Sequence, residues 1–218
     1  MSRALIKVCG MRQAENIRDV ERLLVDDGTS GQEPAVDMMG FIFWPRSSRF
    51  VSERPAYLPK CKRVGVFVDA CIDDIMRSVE DYTLDMVQLH GHESPEQVSH
   101  LLSLASHLSV IKAFNIATEE DLLQTRPYEG LADSFLFDTK GKSVGGNGEQ
   151  FDWGVLDAYH GATPFLLSGG IGPDDADRIK AFRHPKCMGV DLNSRFELAP
   201  GLKDVDKLRT FISAIRGK

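Results

Sequence analysis

Residues 165–173 read Phe165-Leu166-Leu167-Ser168-Gly169-Gly170-Ile171-Gly172-Pro173. An apolar run of strand length stops at Ser168, two glycines follow, and Pro173 stands where a helix can open. Outward from this stretch, runs of the same kind recur at Leu5–Val8, Met38–Phe43, Arg63–Val68, Met86–Leu89, Val110–Phe114, Ser134–Phe137 and Met188–Leu192. With Phe165–Leu167 they number eight, about 20 to 35 residues apart, with helix-like stretches between most of them. Nearly continuous apolar strands alternating with helices specify a parallel sheet covered on both faces. An open doubly wound sheet carries its glycine-rich turn after the first strand. Here the first run leads into Cys9-Gly10-Met11-Arg12, which is not that fingerprint. We therefore expect an α/β chain folded as one (β/α)8 TIM-barrel domain over residues 1–218.

The helical stretches follow from spacing and caps. Gln13–Val25 places Ile17, Val20, Leu23 and Leu24 at helical intervals. Ile72–Tyr82 carries Ile75, Met76 and Val79 on one stripe, with Asp73 in its first turn. Ser94–Ala105 opens on Ser-Pro-Glu, a capping serine followed by proline. Thr118–Gln124, Asp152–Tyr159, Pro173–Phe182 and Asp204–Ile215 complete the set, and Ser52–Pro59 reads as a short, proline-broken helix. Asp26–Ala35, with sequence DDGTSGQEPA, falls before the second strand and reads as a surface insertion at the bottom of the barrel.

The 218 residues are 42% hydrophobic and 27% charged, enough for a normal core without disulfides or metals. A net charge of −6 argues against a nucleic-acid partner, yet a local pocket can still be positive enough for a small anion. Cys9, Cys61, Cys71 and Cys187 form no C-x-x-C pair and no zinc spacing, so no metal is expected. The start, MSRALIKVCG, lacks a secretory pattern, and no run of about 18 apolar residues exists. These features lead us to expect a reduced, cytoplasmic protein with no membrane contact.

In this fold chemistry sits at the C-terminal ends of the strands. The polar groups there are Cys9, Asp69, Gln88, His90, Asn115, Asp138, Ser168 with Gly169 and Gly170, and Asp191 with Asn193 and Ser194. Loops seven and eight are the usual phosphate site of such barrels, and glycine lets backbone N–H groups approach phosphate oxygens. Gly169, Gly170, Asn193, Ser194 and Arg195 are the phosphate candidates. Cys9 and Asp138, ending strands one and six across the mouth, are the acid–base candidates. A thiolate accepts a proton well if its site lowers its pKa, and a partly neutral carboxylic acid can donate one. The plainer alternatives are a small buried cysteine and a capping aspartate, both common. Arg49, in Pro45-Arg46-Ser47-Ser48-Arg49-Phe50, can hold a carboxylate with two parallel hydrogen bonds, whereas Arg46 reads as a solvated cation. Gln88 and His90 read as lining groups. His92, His100, His107, His160 and His184 read as surface residues.

These residues carry a family likeness. The segments are Lys7-Val8-Cys9-Gly10-Met11, Gly40-Phe41-Ile42-Phe43 with Ser47-Ser48-Arg49-Phe50-Val51-Ser52, Val64-Gly65-Val66-Phe67-Val68-Asp69 and Val87-Gln88-Leu89-His90-Gly91. Further along come Phe137-Asp138-Thr139, Gly145-Gly146-Asn147-Gly148 with Phe151-Asp152-Trp153, and Leu167-Ser168-Gly169-Gly170-Ile171. The last are Val190-Asp191-Leu192-Asn193-Ser194-Arg195-Phe196-Glu197 and Pro200-Gly201-Leu202-Lys203-Asp204. In this order, along nearly the whole chain, they resemble the phosphoribosylanthranilate isomerase family of tryptophan biosynthesis.

The resemblance implies a small phosphoribosyl substrate, N-(5-phosphoribosyl)anthranilate. It implies an Amadori rearrangement without a cofactor, in a monomer or homodimer. It makes Asp138 the general acid, Cys9 the general base, Arg49 the partner of the anthranilate carboxylate, and Asp191 a group near the sugar. It puts phosphate at Gly169, Gly170 and Asn193–Arg195. Two departures stand out. The family often has Asp-Val-Ser-Ser-Gly-Val-Glu where this chain has Asp191-Leu192-Asn193-Ser194-Arg195-Phe196-Glu197, so Arg195 trades backbone freedom for a cation. Asn147 replaces a frequent threonine in the loop after strand six. The sister isomerase of histidine biosynthesis, or a dual-substrate barrel, pairs two aspartates across the mouth, and Cys9 stands where the first would be. A non-catalytic sugar-phosphate-binding barrel is the remaining alternative.

Overall fold

The computed structural model describes residues 3–26, 31–139 and 153–216. The eight apolar runs form eight parallel strands that close into a barrel. They are β1 (Leu5–Cys9), β2 (Met38–Ile42), β3 (Lys62–Phe67), β4 (Met86–Leu89), β5 (Ser109–Ile116), β6 (Ser134–Thr139), β7 (Phe165–Ser168) and β8 (Cys187–Leu192). Each strand pairs with the next, and β8 returns to β1 through the register Leu5↔Gly189 to Val8↔Leu192. Closure leaves none of the eight barrel strands with an unpaired edge, and the expected (β/α)8 barrel is what the chain forms.

Alternation along each strand divides the barrel interior into layers. Met38, Val64, Ile111, Ala113, Leu136 and Leu166, with Leu5, Met86 and Met188 against them, make an apolar floor. Two residues further along the same strands, the inward positions include Lys7, Gly40, Val66, Gln88, Asp138 and Ser168. Strand β8 needs an irregularity to join this pattern. Cys187 pairs with Phe165, but Gly189 pairs with Leu166, so Met188 is an extra residue. The bulge resets the alternation. Met188 therefore packs on the floor while Asp191, three residues on, also reaches the interior.

The outer layer is less regular than its periodicity implies. The α-helices among the described residues are α1 (Ala14–Glu21), α2 (Ile72–Tyr82), α3 (Pro95–Leu104), α4 (Ala176–Ala181) and α5 (Val205–Arg216). Helix α3 begins as expected, because Ser94 Oγ accepts from Gln97 N and the Gln97 side chain returns a bond to Ser94 N. Helix α1 stops at Glu21 rather than at Val25. Leu24–Asp26 instead pairs antiparallel with Gln32–Pro34, so the expected insertion is a small hairpin whose residues 27–30 lie outside the described ones. Ser52–Pro59 is not helical, since Pro55 and Pro59 supply no N–H for a turn. Thr118–Gln124 and Asp152–Tyr159 give way to the 3-10 segments Glu119–Tyr128 and Trp153–Ala158. In the former, Thr125 Oγ1 bonds back to Leu122 O and Pro127 removes a donor, both of which oppose an α-helical ladder. Pro173–Phe182 splits into a 3-10 turn, Pro173–Asp175, and the short α4.

Rings fill the space that these thin segments leave. Phe137 lies 4.6 Å from Phe165 and 5.1 Å from Tyr159, centroid to centroid, and Phe114 stands edge-on to Phe135 and Tyr128. Each such buried ring contributes about 1.5–3 kcal/mol through its removal from water. His184 joins this cluster. It is buried rather than at the surface, with Nε2 at Tyr159 O and Nδ1 accepting from Lys186 N. The other four histidines read as surface are exposed.

Candidate active site

At the C-terminal mouth of the barrel lies a cavity of about 190 Å³. Its lining includes Cys9 from β1, Gln88 and His90 from β4 and its loop, Asp138 from β6, Ser168, Gly169 and Gly170 from β7 and its loop, and Asp191, Asn193 and Ser194 from β8 and its loop. Ile42, Val66 and Ile171 supply the apolar wall. Nine of the eleven candidate residues therefore meet in one place; Arg49 and Arg195 are outside this lining.

Cys9 ends β1 beside Gly40, its register partner on β2. A Cβ added at Gly40 would stand 2.8 Å from Cys9 Sγ, so the absent side chain makes room for the thiol. Cys9 is only 3% exposed, and burial pushes its pKa up, against the pull of Lys7. Lys7 is fully enclosed two residues earlier on the same face, with Nζ 2.8 Å from Asp191 Oδ1. Burial alone would lower the pKa of Lys7, but Asp191 and Cys9 more than offset that and raise it.

Across the mouth, Asp138 faces His90. His90 Nε2 is 3.6 Å from Asp138 Oδ2, and Gln88 Nε2 is 2.9 Å from His90 Nδ1. If Gln88 donates to Nδ1, the proton of a neutral imidazole sits on Nε2, toward Asp138. Gln88 Oε1 is buried and has no hydrogen-bond partner among the described residues. A buried acceptor without a donor is costly, and a hydroxyl in the cavity would satisfy it.

Backbone shape marks the far rim. Gly169 and Gly170 both have positive φ, 96° and 66°, a conformation that L side chains adopt at a cost. Both glycines line the cavity without side chains, so an anion can come close to the backbone there. Gly172 N is committed to Asp175 Oδ2 at 2.8 Å. Arg195 is exposed, its Cβ near Gly172.

Arg49 lies against Gly10 and grips Glu197, with Nε 2.9 and 3.0 Å from its two oxygens and Nη2 2.6 Å from Oε2. Glu197 also accepts from Lys203 Nζ at 2.7 Å, and Lys203 reaches Asn193 Oδ1 at 2.8 Å. Burial alone would raise the Glu197 pKa, but bonds from Arg49 and Lys203 hold it below the usual carboxylate range. This cluster ties the loop after β2 to the loop after β8.

Lys7, Lys203 and Glu197 were not singled out from sequence. For Lys7 a signal existed: one charge inside the run Leu5-Ile6-Lys7-Val8-Cys9, where both faces should be apolar. Lys203 and Glu197 lie in a loop hairpin with no such contrast. Gly145–Gly148 and Phe151-Asp152, part of the family likeness, lie outside the described residues. Among the described residues no His, Cys, Asp and Glu cluster could hold a metal ion.

The arrangement offers a thiol, a carboxyl, a buried acceptor unpaired among the described residues, and a glycine rim around one small cavity. A family profile for N-(5'-phosphoribosyl)anthranilate isomerase matches residues 7–214. The N-(5'-phosphoribosyl)anthranilate isomerase of Parabacteroides distasonis is 50% identical, over 97% of this chain and 93% of that protein. The crystal structure of phosphoribosyl anthranilate isomerase from Thermotoga maritima is 30% identical with a TM-score of 0.75, covering 99% of this chain and 100% of that one. A solved complex of such an isomerase with reduced 1-(o-carboxyphenylamino)-1-deoxyribulose 5-phosphate is 28% identical, with a TM-score of 0.73 and coverage of 99% and 100%.

Proposed function

Because the chain belongs to the N-(5'-phosphoribosyl)anthranilate isomerase family, we propose that it converts N-(5-phosphoribosyl)anthranilate to 1-(2-carboxyphenylamino)-1-deoxyribulose 5-phosphate in tryptophan biosynthesis. The observation that carries the reading is the cavity that Cys9 and Asp138 share with Gly169, Gly170, Asn193 and Ser194.

In this reading Asp138 gives its proton to the ribose ring oxygen. The C1–O bond breaks and the sugar opens to a Schiff base. Cys9, as thiolate, removes the proton from C2, and the electron pair moves toward the imine nitrogen to give an enolamine. The enolamine then takes a proton at C1 and relaxes to the C2 ketone, so substrate and product are isomers. General acid–base steps of this kind contribute typically about 10² to 10⁴ in rate each.

Binding follows the same map. The amides of Gly169 and Gly170, with Asn193 and Ser194, hold the phosphate, and Arg195 adds positive charge from outside the cavity. Gln88 Oε1 accepts from a sugar hydroxyl, and Asp191 stands near the ribose. His90 lines the cavity beside Asp138. Arg49 holds the anthranilate carboxylate through the edge that Glu197 leaves open. The reaction needs no cofactor and no metal. The setting is the cytoplasm, the protein is a monomer or homodimer, and no nucleic acid or membrane takes part; no helix among the described residues is long and apolar enough to cross a membrane.

The test is turnover of purified protein with freshly made phosphoribosylanthranilate, followed by loss of substrate fluorescence. Absence of turnover overturns the reading. The phosphoribosyl-amine of histidine biosynthesis, assayed alongside, should not react, because Cys9 replaces one of the two aspartates that reaction uses.

A further inference from the structure

Lys7 takes no part in the mechanism above, yet it occupies an expensive place. It is fully buried inside the barrel, between the apolar floor and the cavity, while neighbouring inward positions hold Gly40 and Val66. A buried ion pair generally stabilises a fold no better than apolar residues of the same shape, so a purely structural account of the Lys7–Asp191 pair is weak. Asp191 lines the cavity and Lys7 does not. Lys7 therefore meets the site from behind, through the two groups it touches: Asp191 at 2.8 Å and the thiol of Cys9.

We propose that Lys7 is a positioning residue for the proton-abstracting thiol: Asp191 anchors its ammonium, which aims an N–H at Cys9 and stabilises the thiolate formed in turnover. This rests on the reading of Cys9 as the base. The geometry gives the pair one strand and one face, residues i and i+2 of β1, so the distance between them is set by backbone rather than by loops. The charged groups facing Cys9 are Lys7 from its own strand, Asp191 from β8, Lys203 from the hairpin after β8, and Arg49 from the loop after β2. Arg49 and Lys203 share Glu197, and Lys7 is the strongest cationic influence on the thiol.

The test follows alkylation of Cys9 by iodoacetamide on the full-length protein from neutral to alkaline pH, resolved by peptide mass spectrometry so that Cys71 and the other thiols do not interfere. Steady-state kinetics are measured in parallel. Lys7→Met should move the Cys9 midpoint up by about one pH unit or more, and kcat should fall about tenfold at neutral pH, a unit of pKa being a factor of ten in thiolate. KM should change little, since Lys7 does not line the cavity. Lys7→Met alone leaves Asp191 buried without a partner, so Lys7→Met/Asp191→Asn is the second variant. It carries no unpaired charge, and it should keep the raised midpoint because Lys7 outweighs Asp191 at Cys9. An unmoved midpoint in these variants, an unchanged kcat in Lys7→Met, or loss of folding in both overturns the proposal. Cys9→Ala separates the two readings. If it retains turnover, Cys9 is not the base; if it loses turnover while Lys7→Met keeps the native profile, only the role of Lys7 fails.

Discussion

Arg49 and Glu197 form a two-toothed ion pair, Nε and Nη2 against both carboxylate oxygens at 2.6 to 3.0 Å, across two loops 148 residues apart in sequence. The pair fixes the guanidinium plane before any ligand arrives, and Lys203 holds the same carboxylate from the other side. Arg49→Ala should raise KM roughly tenfold or more, the value of one lost charge-assisted hydrogen bond, with a smaller effect on kcat. Steady-state kinetics check this, and an unchanged KM would release Arg49 from the carboxylate role.

Glu197→Gln should act on stability as well. It leaves the fully buried Lys203 without its counter-charge, a change that costs about 3 to 5 kcal/mol. The pH dependence has a definite sign. Glu197 sits below its ordinary 4.5 in the folded chain, so its share of stability is complete above that value. It is lost as pH falls through the lower, folded value, because the unfolded chain takes up the proton first. Denaturant melts in acid should therefore show the gap between the native protein and Glu197→Gln shrinking below about pH 4.5.

Asp138→Asn should lower kcat by about 10² to 10⁴, since an amide cannot protonate the ring oxygen. Its fold should survive, because Asp138 is partly exposed and His90 faces it at 3.6 Å without a short bond. Near-native turnover in a folded Asp138→Asn variant would exclude it as the acid.

Cys9 predicts a pH profile. Burial holds its thiol above the usual 9.0, so the thiolate fraction of the free protein grows through the alkaline range. The kcat/KM should climb with pH there. Cys9→Ser should be severely slowed and lose that limb, a hydroxyl being a far weaker acid than a thiol. An identical profile in Cys9→Ser would assign the limb to another group.

Gly40→Ala tests the room left for the thiol. The new methyl group would stand 2.8 Å from Cys9 Sγ and 3.2 Å from Cys9 Cα, so strand and side chain both have to shift. A displacement of about 1 Å can cost about 10²-fold in rate. Turnover should drop well before the melting temperature does, and native turnover would show that the position of Cys9 is not critical.

How much of this was legible beforehand depends on the range of the interaction. Eight apolar runs with glycine and proline between them declare strands and their alternation with helices, because burial on both faces is a local property of each run. Helix type was less readable. Thr118–Gln124 looks α-helical by composition, but Pro127 and the back-bonding Thr125 lie at its far end and turn it into a 3-10 segment. Leu24 fits a helical stripe as well as a strand, and only pairing with Pro34 decided between them. His184 read as surface because nothing near it in sequence announces Tyr159 and Phe165, which enclose it.

Residue types and order along the chain determined by themselves that a parallel barrel forms and that Cys9, Asp138 and the Gly169-Gly170 turn stand at strand ends, since both follow from short-range pattern. Closure of the sheet decided the rest. It set Lys7 opposite Asp191, used the bulge at Met188 to turn Asp191 inward, and left Gln88 Oε1 in a cavity with no partner among the described residues. It also drew Arg49, Glu197 and Lys203 together. Those relations join residues far apart in sequence, and their energies come from shared burial and opposed charge, which exist only once the strands have met.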